Sequence, residues 1–65
     1  MWVVYTEIHT DEGVERWYYG RWHDKHIANE VALELGGSWP TYHCVCQEQE
    51  AKDLGIMNMP RKKMD

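Results

Sequence analysis

Phenylalanine is absent from this chain, and proline occurs only at Pro40 and Pro60. A core built without Phe must take its rings from the four Trp and four Tyr. Those side chains keep a polar tip and suit interfaces as well as interiors. Basic residues are also scarce. Residues 1–60 hold Arg16, Arg21, Lys25 and Lys52 against ten acidic side chains, a balance of −6, and Arg61, Lys62 and Lys63 with Asp65 bring the whole chain only to −4. A phosphate-backbone binder needs a basic stripe, so nucleic acid is not an expected partner. No apolar run approaches the roughly 18 residues of a membrane span, and no stretch reads as a signal peptide, so no membrane is expected either. Nor is there a Gly-rich phosphate loop, because Gly36-Gly37 follows a helical pattern instead of preceding one.

Cysteine is limited to Cys44 and Cys46. Two apart on a strand, they share a face with Cα atoms about 6.5–7 Å apart, at the limit for a bridge. They read as two reduced, buried thiols that act as small hydrophobes, which implies a reducing, cytoplasmic setting. Zinc would suit His23 and His26 with Cys44 and Cys46 by residue type. The spacing is tighter than a zinc finger's, and His26 points away from the apolar stripe of its helix, so no metal or cofactor is expected. His43 and Cys44 are strand neighbours on opposite faces and cannot form an activated pair. Glu7 and Glu15 share a face in the expected register but no cleft surrounds them. The chain is therefore not expected to be an enzyme.

What the chain does have is a strong hairpin signal. Residues 2–9 and 14–22 are rich in β-branched and aromatic side chains. Between them Thr10-Asp11-Glu12-Gly13 suits a type I turn closed by a glycine bulge. That geometry pairs Thr10 with Val14, so partner numbers sum to 24. One face then carries Trp2, Val4, Thr6, Ile8, Val14, Arg16, Tyr18, Gly20 and Trp22, and is expected to be the core. The other carries Val3, Tyr5, Glu7, His9, Glu15, Trp17, Tyr19 and Arg21, and is expected to be open.

Asp24 is placed to cap a helix whose Ile27, Ala28, Val31, Ala32 and Leu35 form one stripe, and Gly36 to end it. Leu33 falls on the far side, where a lone exposed Leu is ordinary. Tyr42–Cys46 reads as a third strand, antiparallel beside the first, with Tyr42, Cys44 and Cys46 inward and Thr41, His43, Val45 and Gln47 on the open face. Residues 48–54 read as a short helix stopped by Gly55, marginal by itself. The expected fold is α+β: a small β-β-α-β domain, one helix on a three-stranded antiparallel sheet, with that short C-terminal helix. Residues 1–59 form the domain and 60–65 a disordered tail.

The expected contact surface is the open face: Tyr5, Trp17, Tyr19 and His43, edged by Glu7 and Arg21. Aromatic residues with Arg are typical of contact hot spots. Three occupants compete for it, namely the segment around Ile56, Met57 and Met59 folding back, a second copy, and a different protein. A chain of 65 residues buries only about 60% of the surface its unfolded form exposes, and such scaffolds usually need a staple, a metal or a partner subunit. Self-association through this face or a sheet edge is the leading expectation. The alternative is an acidic inhibitor that mimics nucleic acid toward a nucleic-acid-handling enzyme, as some small phage-encoded inhibitors of comparable size do.

Overall fold

Strand β1 (Trp2–Thr10) is the middle of a three-stranded antiparallel sheet ordered β2-β1-β3, flanked by β2 (Gly13–Trp22) and β3 (Thr41–Gln47). This is a computed structural model, and it describes residues 1–58. Helix α1 (Lys25–Leu35) follows β2, and a short helix α2 (Glu48–Asp53) with a 3₁₀ turn at Ile56–Asn58 follows β3. The small α+β architecture, the central place of β1 and the short second helix are those expected. The tail expected at 60–65, and Met59, lie outside the described residues.

The hairpin register differs from the expectation. Thr10 pairs with Gly13, so only Asp11 and Glu12 form the turn, and partner numbers sum to 23 as far as Tyr5↔Tyr18. Asp11 and Glu12 both keep negative φ, so this is not one of the primed turns whose twist matches a hairpin. Gly13, at φ 134, takes up the mismatch in a conformation that a side chain disfavours. The Thr10 hydroxyl donates to the Gly13 carbonyl at 2.9 Å. Further on, Tyr19 is the extra residue between the Tyr5↔Tyr18 and Val4↔Gly20 pairs, and from Val4↔Gly20 the sum is 24. This β-bulge shifts the pleat by one residue.

The consequence is a redistribution of faces. Trp2, Val4, Thr6 and Ile8 share the first face with Gly20 and Trp22 as expected, but also with Trp17 and Glu15. Val3, Tyr5, Glu7 and His9 share the second face with Arg21 and, beyond the bulge, with Tyr18, Arg16 and Val14. β3 is inverted relative to expectation. Cys44 lies opposite Tyr5 and Cys46 opposite Val3 on the second face, whereas His43 and Val45 lie opposite Thr6 and Val4 on the first.

Each face is covered, the second only in part. α1 lies on the first face, where Val4 and Ala28 are fully buried. Its N-terminus sits near Trp2, with the Lys25 ammonium 4.9 Å from that ring. Its C-terminus reaches His43, whose Nδ1–H donates to the Gly36 carbonyl at 2.7 Å. Asp24 caps α1 by accepting from the His26 amide at 2.8 Å. On the second face Val3, Cys46, Ala51 and Ile56 form a buried cluster, with Tyr5, Tyr18 and Met57 packed against it. The upper half of the face expected to be open is therefore closed by α2 and the 3₁₀ turn. With apolar residues buried on both sides of the sheet, strand alternation does not say which set faces inward.

Candidate functional site

The six residues expected to form one contact surface are split between the two faces. Tyr5 packs beside the Ile56 cluster. Burial pushes its phenol up to about 12, reinforced by the Cys44 thiol opposite it and, less, by Cys46 and Glu7. Glu7 lies lower on the same face, where it accepts from Arg16 Nε at 3.2 Å and from His9 Nε2 at 3.0 Å. Arg21 reaches Glu48 at the start of α2 at 2.8 Å. Tyr19, at the bulge, sits 6.3 Å from the Trp22 ring. Trp17 and His43 belong to the first face. The indole Nε1 of Trp17 is buried, with no hydrogen-bond partner among the described residues. Glu7 and Glu15 also fall on opposite faces, so they do not present a carboxylate pair.

The thiols are free, and burial is the largest cause pushing both upward. Contact with Tyr5 opposes the rise at Cys44, while Glu50 adds to it at Cys46. A thiol held protonated is a poor nucleophile and a poor metal ligand. Among the described residues no three His, Cys, Asp or Glu side chains converge as a metal site would require. Among the same residues no helix is long and apolar enough to cross a membrane.

Two exposed regions remain. One is the lower half of the second face, where the His9 ring lies 5.2 Å from Trp39, tilted by 33°, and meets Tyr42 edge-on at 5.7 Å, beside the Glu7–Arg16 ion pair. Trp39 is 71% exposed there. The other is the outer edge of β3 with the groove between it and α1. This groove, of about 610 Å³, is lined by Asn29, Ala32, Leu33 and Gly36 from the helix and by His43 and Val45 from the strand. The helix residues follow i, i+3, i+4, i+7 spacing and so form one stripe. Leu33 is 79% exposed.

The two edges of the sheet are unlike. β2 carries Glu15, Arg16 and Arg21 and is bent by the Tyr19 bulge, devices that keep an edge from pairing. β3 reads Thr41-Tyr42-His43-Cys44-Val45-Cys46-Gln47, with no Asp, Glu, Lys, Arg or Pro and an unbroken register against β1. From the sequence Leu33 reads as an ordinary exposed residue, and Val45 as part of the open aromatic face instead of an edge. The available signals were the second, uncharged stripe of α1 and the missing charge in β3.

No protein-family model, no curated protein and no solved structure matches the chain.

Proposed function

We propose that this chain is a non-enzymatic protein-interaction module that works by self-association, as a homodimer, in the cytoplasm. The observation that carries the reading is the contrast between its sheet edges: β2 is charged and bulged, whereas β3 is unbulged, uncharged and flanked by the exposed Leu33. An edge of that kind is a template for another strand. The polar chemistry supports the non-enzymatic part. Both thiols are pushed toward their protonated form, and the Glu7 carboxylate is held by Arg16 and His9. Protonated thiols on a strand also fit the reducing setting of the cytoplasm.

The aromatic face expected from the sequence gives way to the β3 edge as the contact surface, because α2 and the 3₁₀ turn cover much of that face. An inhibitor that mimics nucleic acid would need carboxylates other than Glu7 and Glu15 as its pair. Sedimentation velocity over a wide concentration range tests the proposal. A concentration-dependent shift from monomer to dimer is expected, and a monomer at millimolar concentration would rule it out.

A further inference from the structure

Resting on that reading, we infer that the second copy adds to β3 edge to edge and antiparallel, with the two-fold axis at Val45, so that two three-stranded sheets become one of six strands. The backbone geometry selects this register. His9 N–H donates to Pro40 O at 2.8 Å and Glu48 N–H to Met1 O at 2.9 Å. These pairs lie at the two ends of the β1–β3 ladder and set its phase. In an antiparallel ladder the groups of alternate residues point to opposite sides. Tyr42, Cys44 and Cys46 therefore turn their N–H and C=O toward β1, and Thr41, His43, Val45 and Gln47 turn theirs outward.

The outward run is bounded at both ends. Thr41 is already bridged to Ser38, N–H to O at 2.7 Å and O from N–H at 2.9 Å. At the other end the chain leaves the ladder as α2, with Gln47 as its N-cap, where the cap carbonyl takes the first helical bond. Gly37 lies beside Tyr42, where a Cβ on the glycine would touch the Tyr42 Cα, so what stays open among the described residues is the stretch 43–47, and its middle residue is Val45. A two-fold pairing centred there sets Val45 against its own copy and His43 against Gln47. It joins the outward N–H of Val45 and Gln47 to the outward C=O of Val45 and His43. A register one pair lower would drive Gln47 into the position that Ser38 holds.

The helices fit the same arrangement. α1 lies over β1 and β3 and, to a lesser extent, over β2. Adjacent strands lie about 4.8 Å apart, so across a β3–β3 pair the two α1 axes fall roughly 10–14 Å apart, at or beyond the upper end of the range in which helices pack, and contact between them rests on the longest side chain of the stripe, Leu33. A two-fold axis normal to the sheet keeps both helices on one face, antiparallel, with the Asn29–Ala32–Leu33–Gly36 stripes turned toward each other. No charged side chain lies in the stripe or in β3, so two acidic chains approach without like charges meeting there. The occupant is thus a second copy, which supplies both the strand the edge lacks and the helix that covers Leu33.

Residue-resolved amide hydrogen exchange, at concentrations below and above the dimer midpoint found by sedimentation, tests the register. In the dimer the Val45 and Gln47 amides should exchange at least about tenfold more slowly than in the monomer. Those of Cys44 and Cys46 should be slow in both. A mixed sample of ¹³C-labelled and unlabelled protein should show contacts between the Val45 methyls of the two copies. Leu33→Glu, at a position exposed in the monomer, should weaken dimerisation by at least about tenfold with unchanged monomer melting. A dimer without protection at Val45 and Gln47 would overturn the register and leave self-association standing. Protection independent of concentration would mean that the chain covers its own edge, and would overturn it too. A monomer throughout would remove both readings.

Discussion

Tyr5 and Cys44 face each other directly across the β1–β3 ladder, phenol beside thiol, under the cover of the C-terminal segment. Each is held in its neutral form. Tyr5 is pushed up to about 12, chiefly by burial and then by Cys44, and both thiols are pushed up from 9.0, chiefly by burial. The folded state thus keeps protons that the unfolded chain releases. Stability is full below the unfolded thiol value and is lost as pH rises through the folded values, over a window from about 9 to about 12. Urea denaturation at stepped pH should show a falling midpoint across that window. Tyr5→Phe should remove its upper part. The same variant should lose a phenol ionisation near pH 12 in an absorbance titration. If that late step survives in Tyr5→Phe, the assignment is wrong.

Much of the fold was legible because its signals are local. Asp24 and Gly36 bound α1 as a cap and a positive-φ stop, and Gly55, at φ 78, follows α2. The hairpin was legible as a hairpin but not in register. A single extra residue at Tyr19 carries no composition cue among Trp17, Tyr18 and Tyr19, where any of the three suits either face. The inverted β3 has a related cause. Cys44 and Cys46 looked inward, and they do face a core, but it is the second core, built by Ala51 and Ile56 from a segment too short to reveal its packing by periodicity. On α1 the expected stripe is wider than the one the sheet covers. Ala28 is buried, but Ile27 is 46% and Leu35 38% exposed, because three strands are too narrow to bury both flanks.

The C-terminal segment should matter more to stability than its length suggests. Ile56 is fully buried against Val3, Cys46 and Ala51. Ile56→Ala is expected to cost about 2–5 kcal/mol and Ile56→Val about 0.5–1.5 kcal/mol. In a domain of this size each kcal/mol lowers the melting temperature by about 4–8 °C. Calorimetry or urea denaturation reads the difference. A cost under about 1 kcal/mol for Ile56→Ala would show that α2 and the 3₁₀ turn only rest on the second face.

Glu7 and Arg16 form a cross-strand pair whose carboxylate side is the more buried, with side chains 19% and 37% exposed. The partly screened setting limits what such a pair contributes. A double-mutant cycle with Glu7→Gln and Arg16→Gln should return a coupling of about 0.2–1 kcal/mol, reduced in high salt. Coupling near zero in low salt would mean that the contact is not held in solution. The cycle also checks the register, because under a sum of 24 Glu7 would face Trp17 instead.

The bulge separates what the backbone needs from what the side chain adds. Tyr19→Ala keeps the extra residue and removes the contacts of its side chain, that with the Trp22 ring among them, at a cost of roughly 1 kcal/mol. Deleting Tyr19 removes the bulge but none of the ladder pairs. Gly20 then follows Tyr18 directly and still meets Val4, Arg21 still meets Val3, and Trp22 still meets Trp2. Each keeps its face, so the small Gly20 stays opposite the buried Val4 where α1 packs. The deletion should therefore fold, at a cost within about 1 kcal/mol of the substitution. Circular dichroism and urea denaturation of the two variants, compared with the parent, decide the matter. A deletion that costs more than about 3 kcal/mol beyond the substitution, or that does not fold, would mean that the packing on the two faces depends on the bulge itself.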